Sequence, residues 1–162
     1  MEYPLSSGPS LIEVRDSPQH GRGVFACGMM IPAETRILPF LGPHLRLAEL
    51  DQSAYHLQVG DDEYLGPSGQ PDDYVNHSCT PNCALDVDLQ LYALWDIPAG
   101  TELTWDYSTA IDEADFAGFP CSCGTVGCRQ TVHSYRHLEV SVQVQLWPLL
   151  LPYLRRKYAA AG

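Results

Sequence analysis

Basic residues are scarce in this chain. Nine Lys and Arg stand against twenty Asp and Glu among 162 residues, a formal net charge of −11. Nucleic-acid binders draw most of their affinity from cationic contacts to phosphate, so a chain without a basic face is not read as one. An acidic surface instead attracts Lys- and Arg-rich partners, and it serves solubility equally well. Long apolar runs are also missing. The longest, Leu146 to Leu154, carries Pro148 and Pro152 and falls well short of the roughly 20 residues that cross a bilayer. Met1 to Ser10 has neither the basic start nor the apolar centre of a secretory signal, and reads as a loose lead-in. The expectation is a soluble, intracellular protein. There is no internal repeat and no low-complexity tract.

What is present is turn-forming. Thirteen Gly and thirteen Pro, with short β-branched or apolar runs between them, point to small strands and loops in one domain rather than a helix bundle. Leu11 to Val14 reads as a strand, followed by a turn and a second strand through Val24, Phe25 and Ala26. Arg36 to Leu41 is a short apolar strand, and residues 46 to 52 suit one or two helical turns. Ala54 to Val59 and Glu63 to Leu65 read as a hairpin around Gly60-Asp61-Asp62. Residues 66 to 73 read as a loop, 84 to 95 as two strands around Asp86 to Asp88, and Glu102 to Tyr107 as the last strand. His137 to Tyr158 is apolar and broken by proline, which predicts a helix in two pieces that caps the domain or, as the alternative, pairs two subunits.

Six cysteines in an intracellular setting are read as metal ligands and buried thiols before disulfides. Cys121, Cys123 and Cys128 form a Cys-x-Cys-x4-Cys cluster, with Gly124 and Gly127 allowing tight bends. Zinc takes four tetrahedral ligands, so a fourth must come from elsewhere. Cys79, in the polar run Asn76-His-Ser-Cys-Thr-Pro-Asn-Cys83, is one candidate and His133 the other. Cys27 and Cys83 adjoin apolar strand residues and read as buried thiols.

Four segments in order, Gly21-Arg22-Gly23, Asn76-His77-Ser78-Cys79 with Pro81-Asn82, Glu102-Leu-Thr-Trp-Asp-Tyr107 and the thiol cluster, make this chain resemble the SET-domain protein lysine methyltransferases over roughly residues 10 to 130. The resemblance implies a mainly β fold of small curled sheets in which a late segment threads under a loop. It implies S-adenosylmethionine as cofactor, held by Gly21, Arg22, Gly23, Tyr74, Asn76, His77 and Tyr107. Tyr107 and Tyr55 take the catalytic roles, Phe40, Tyr55 and Trp105 line the lysine channel, and Cys79 joins Cys121, Cys123 and Cys128 around one structural zinc. On that reading residues 11 to 110 form the SET domain after a lead of 1 to 10, residues 111 to 136 the post-SET zinc segment, and residues 137 to 162 a C-terminal helical extension.

Three positions depart from the family pattern. Phe40 stands where many members carry a tyrosine, Asp73 replaces an arginine, and Trp105 occupies a place usually held by Phe or Tyr. In the family the last of these limits how many methyl groups fit, so Trp105 either restricts the product to monomethyl-lysine or swings outward and leaves the degree of methylation open. The expected substrate is lysine in a basic segment such as a histone tail, a histone-like protein or a ribosomal protein, and the acidic run Asp112-Glu113-Ala-Asp115 is placed to attract it or to form a solvated loop. Direct nucleic-acid or membrane binding is not expected, and the protein is expected as monomer or homodimer. The alternative reading is a SET module that binds a peptide without catalysis.

Overall fold

A computed structural model of the protein describes residues 10–51 and 56–161. The alternating Ile12-Glu-Val-Arg-Asp forms β1 (Ile12–Asp16), turning Ile12 and Val14 toward the core. The chain returns antiparallel as β2 (Arg22–Ala26), with Val14 opposite Val24. A turn through Ile31 leads to β3 (Arg36–Pro39), then β4 (His44–Leu45), β5 (Leu57–Gly60) and β6 (Glu63–Leu65). The hairpin expected around Gly60 to Asp62 is β5–β6, and β4 adds to its far edge. The helical turn expected near residue 46 is a single 3-10 turn, Leu47–Glu49.

The middle of the chain supplies β7 (Asn76–His77), β8 (Cys83–Leu85) and β9 (Gln90–Ala93), with β9 paired to both β8 and β3. After β10 (Thr104–Trp105), the two-residue strands β11 (Phe119–Pro120) and β12 (Thr131–Val132) bracket the thiol cluster. Five sheets of two or three strands result among the described residues. Their inner faces meet in one core, where Val24, Ile31, Leu91, Ala93, Leu103 and Leu154 are fully buried. Each such Leu, Ile or Val contributes roughly 1.5–3 kcal/mol by leaving water.

Residues 102–105 are gripped from two sides. On one side Leu103 N–H donates to Val24 O at 2.7 Å, and Phe25 bridges to Glu102. On the other, β10 runs parallel to β7, Asn82 Nδ2 donates to Glu102 O at 2.8 Å, and Thr104 N–H donates to Asn82 Oδ1 at 2.9 Å. This is the threaded arrangement of a late segment past the 76–82 run.

The structure corrects several readings of elements. Asn76–His77, at the start of the polar run and given no element there, is a strand whose partner lies far along the chain. The strand expected over 102–107 covers Thr104–Trp105 alone, because Asp106 caps a 3-10 turn, Tyr107–Thr109, through Ser108 N–H. It is not the last strand. The 66–73 loop closes in a 3-10 turn, Pro71–Tyr74, and both its acids are spent on backbone: Leu41 N–H donates to Asp72, and Ser68 and Gly69 N–H to Asp73.

The two-piece helix is α1 (Val140–Leu146) and α2 (Pro152–Ala159), with Pro152 at the first helical position, where its missing N–H costs nothing. Leu150, Leu151 and Leu154 drive α2 onto the core, and the Tyr153 hydroxyl donates to Ala110 O.

Candidate active site and thiol cluster

A cavity of about 1000 Å³ opens between the β1–β2 turn, β7, β10 and the segment 110–123. That is at the upper end for a single ligand site, and it has room for two reactants side by side. Gly21, Arg22, Tyr74, Asn76, His77, Phe40, Trp105 and Tyr107 all line it. Tyr55 lies outside the described residues.

Gly21 has φ +52, which a side chain resists, and it turns the chain into β2. Gly23 does not line the cavity. A Cβ there would stand 2.3 Å from Glu102 Oε1, so the glycine is required by packing against that carboxylate rather than by approach of a ligand. Glu102 ties the turn together: Asn76 Nδ2 donates to its Oε1 at 2.7 Å, and Ser17 Oγ to its Oε2 at 2.9 Å. Asn76 Nδ2 also reaches His20 O and Arg22 O. Its donors are therefore used within the protein, and Oδ1 is the atom it offers to the cavity. The Arg22 guanidinium lies over the Tyr74 ring, 4.9 Å from its centroid, a cation–π contact that holds both at the cavity edge.

The His77 imidazole is buried and fully engaged. Tyr107 N–H donates to Nδ1 at 3.1 Å, which leaves the proton on Nε2, 3.4 Å from Cys79 Sγ. Burial lowers its pKa to about 4, against the pull of Asp106 and with the help of Arg129, so the ring is neutral at physiological pH. The Tyr107 hydroxyl donates to Val75 O at 2.8 Å, which fixes the direction of the phenol. Trp105 is 5% exposed and points inward. Its ring meets Phe40 edge-on at 5.7 Å and Tyr107 at 5.0 Å, forming an aromatic wall. The indole N–H is buried with no acceptor among the described residues.

The acidic run splits by role. Asp112 is 3% exposed and accepts from Arg136, Lys157 and Tyr158, so it is neither a solvated nor a peptide-facing residue. Burial alone would raise its pKa; Arg136, Lys157 and Tyr158 outweigh that and hold it below the usual carboxylate range. Glu113 does face the cavity, with one oxygen 3.0 Å from the Tyr64 hydroxyl.

Cys79 meets Cys121, Cys123 and Cys128, all four sulfurs lying within 4.8 Å of one another. His133 takes no part in this group, and Cys27 and Cys83 lie apart from it, Cys83 fully buried and Cys27 partly so. The 3.8 Å from Cys79 Sγ to Cys121 Sγ is far longer than a disulfide, about 2.05 Å. It matches the roughly 3.8 Å between ligands on a tetrahedron with 2.3 Å metal–sulfur bonds. Backbone N–H groups of Arg129 and Gln130 point at Cys79 and Cys128 sulfurs at 3.4 Å, as acceptor thiolates require. Burial pushes Cys79 up to about 11 and Cys121 further, while Cys123 falls to about 6, its burial outweighed chiefly by the Thr125 hydroxyl. A divalent cation among these sulfurs would remove the cost of ionising them together. The donor set fits zinc.

Glu102, Asp106 and Arg129 are functional-site residues that sequence reasoning assigned no role. Glu102 and Asp106 lie inside the 102–107 motif, and Arg129 directly follows Cys128, but the contacts that matter are 23 to 85 residues away along the chain.

Fold and site together define a β-rich domain with a double-ended cavity and a four-thiol knuckle. The family model described as "SET domain" matches residues 21–108, more than half of the chain. The chain belongs to the SET-domain family. It is 31% identical over 134 residues to "Histone-lysine N-methyltransferase, H3 lysine-4 specific" of Mycosarcoma maydis, covering 70% of this chain and 9% of that protein. It is 30% identical over 138 residues to "Histone-lysine N-methyltransferase 2B" of Homo sapiens, covering 74% of this chain and 5% of that protein. The chain thus spans about a tenth or less of the length of these relatives. Among solved structures it is similar to KRYPTONITE in complex with mCHG DNA and SAH, with TM-score 0.61, 27% identity, and coverage of 75% of this chain and 29% of the other. No helix among the described residues is long and apolar enough to cross a membrane.

Proposed function

We propose that the chain is a protein-lysine N-methyltransferase that moves a methyl group from S-adenosylmethionine to the side-chain nitrogen of lysine in a basic protein segment, such as a histone tail. The observation that carries this reading is one cavity with two chemically different ends. One is polar and built by Gly21, Arg22, Asn76 and His77; the other is an aromatic wall of Phe40, Trp105 and Tyr107.

The polar end suits the amino-acid part of the cofactor, with Asn76 Oδ1 open to an ammonium and Arg22 available to a carboxylate. Tyr74 walls that end, and His77 offers backbone groups, its ring being committed to Tyr107 and Cys79. Gly23 contributes by letting Glu102 close on Asn76. Bound there, S-adenosylmethionine supplies a methyl group made electrophilic by its sulfonium. At the aromatic end the chain must hold lysine as a neutral amine, although its pKa in water is about 10.4. Burial between Phe40, Trp105 and Tyr107 disfavours the charged form, and the proton leaves to water. A rigid channel aligns the amine for in-line attack, and such positioning supplies much of the rate. The phenol oxygen of Tyr107, its proton held by Val75 O, presents negative charge to the reaction centre. Tyr55 belongs to this channel on the strength of the family resemblance alone. Cys79, Cys121, Cys123 and Cys128 would hold one structural zinc that ties segment 121–130 to the 76–79 strand and turn.

Trp105 makes the channel narrow, and the expected product is monomethyl-lysine. Trp105→Phe opens space and should add dimethyl product on a reacted peptide, read by mass spectrometry; an unchanged monomethyl product would remove Trp105 from product control.

The test of the whole reading is transfer of radiolabelled methyl from S-adenosylmethionine to core histones and to a cell extract. Label in a protein band, lost in Tyr107→Phe with cofactor affinity retained, is the expected outcome. Cofactor binding without label across such substrates would favour a SET module that binds without catalysis.

A further inference from the structure

We propose that Arg129 is a positioning residue that transmits the shape of the thiol cluster to the turn carrying Tyr107. The inference rests on the catalytic reading of Tyr107 above. Its backbone N–H points at Cys79 Sγ at 3.4 Å. Its guanidinium grips Asp106 with both forks, Nη1 to Oδ2 and Nη2 to Oδ1, each at 2.8 Å, and Nη2 also reaches Ser108 Oγ at 3.3 Å. The Asp106 carboxylate is fully buried, and the Arg129 side chain is mostly so. A buried carboxylate needs such a partner, because the desolvation it suffers is otherwise uncompensated.

Asp106 organises the turn. It accepts from Ser108 N–H at 3.0 Å through its side chain, and from Thr109 N–H at 3.0 Å and Thr109 Oγ1 at 2.7 Å through its carbonyl. Tyr107 sits between these contacts. A second strut leaves the same sulfur: Cys79 Sγ to His77 Nε2 at 3.4 Å, then His77 Nδ1 to Tyr107 N–H at 3.1 Å. Two legs that start at Cys79 thus end at the entry to Tyr107, one on its own amide and one on the residue before it. A single leg would leave the turn free to rotate about it; two legs define its orientation.

The chemistry of the arginine is specific to this task. The planar fork satisfies both oxygens of one carboxylate, which the ammonium of lysine cannot do. Arg129 Nε is buried without an acceptor among the described residues, so the fork is aimed at Asp106 at the expense of its own third donor. The cation also interacts electrostatically with Cys79 and Cys121 as well as with Asp106, and the four-thiol group carries net negative charge once metal-bound. Arg129 bridges the anionic knuckle and the anionic cap of the catalytic turn, which would otherwise repel each other.

The experiment compares the zinc-loaded full chain with Arg129→Met and Arg129→Lys by three measurements: zinc per chain, amide hydrogen exchange at residues 107–110 and in β8–β9, and methyl transfer to core histones. In Arg129→Met we expect one zinc per chain and unchanged β8–β9 protection, but exchange at 107–110 faster by at least about tenfold. With it, kcat should fall by at least about tenfold while KM for S-adenosylmethionine stays within about twofold. Arg129→Lys should fall between. Unchanged exchange at 107–110 with zinc bound, or equal loss of protection in β8–β9, overturns the proposal. Should Arg129→Met not fold, Arg129→Lys decides by the same readouts. Should the wild type transfer no methyl group, the function proposed above fails, whereas the exchange data still decide the strut.

Discussion

The half of the molecule built on β2, β3, β8 and β9 and the segment 111–136 are held by different forces. The first buries Val24, Leu38, Cys83, Leu85, Leu91 and Ala93 in one apolar cluster. The second has two strands of two residues each, an entirely exposed Val126, and few buried apolar side chains. What holds it is polar and pointwise: four thiols, the Arg129–Asp106 pair, Gln19 Nε2 donating to Cys123 O at 2.5 Å, and the Asp112 cluster. Apolar burial is spread over many contacts and survives the loss of one. A segment held at points fails when one point is removed. The aromatic wall and the polar end of the cavity both depend on this second region, since Phe119, Pro120, Cys121, Ser122 and Cys123 line it.

Metal removal should separate the two regions most strongly, because structural zinc contributes about 10–16 kcal/mol in zinc-finger peptides. Chelation, or Cys121→Ser, should leave 121–130 open to limited proteolysis and abolish methyl transfer first, while amides of β8 and β9 stay protected. Loss of protection in both at once would erase the contrast. Leu91→Ala is next. It should cost about 2–5 kcal/mol in denaturant unfolding, with zinc still bound. A smaller loss would mean that the core collapses around the gap.

The smallest effect is the one at Asp112, which pins residues 110–113 to α2. Asp112→Asn should cost about 1.5–3 kcal/mol at pH 7. Because the folded carboxylate has a lowered pKa, its stabilisation is present above the ordinary value near about 3.9 and fades as pH falls through the folded one. The deficit of the variant, measured by urea unfolding across pH, should therefore be flat from neutral to about pH 4 and shrink below. A deficit that shrinks already between pH 7 and 5 would place the dependence on another group.

Local patterns were legible before the fold. The β5–β6 hairpin followed from turn residues at 60–62, β8–β9 from Asp86 to Asp88, and the break between α1 and α2 from proline. Parallel pairing of Asn76–His77 with Thr104–Trp105 was not legible, since two-residue strands carry no periodicity and β10 is gripped by the side chain of Asn82. The packing of Gly23 against Glu102, 79 positions on, was likewise not legible. Asp112 and Asp115 looked alike in sequence; one is buried in an ion cluster and the other is exposed.

The sequence by itself determined the kinds of chemistry available: thiols in metal-ligand spacing, glycine and proline turns, a tyrosine after Asp106, and an acidic balance of charge. Those depend on residue identity and short spacing, which the chain carries wherever it folds. How closely Cys79 meets the other three thiols, which acid is buried, and how Tyr107 is aimed were decided only by the tertiary structure. Each depends on groups brought within about 3–4 Å from distant parts of the chain, a range over which hydrogen bonding and desolvation act and sequence spacing says nothing.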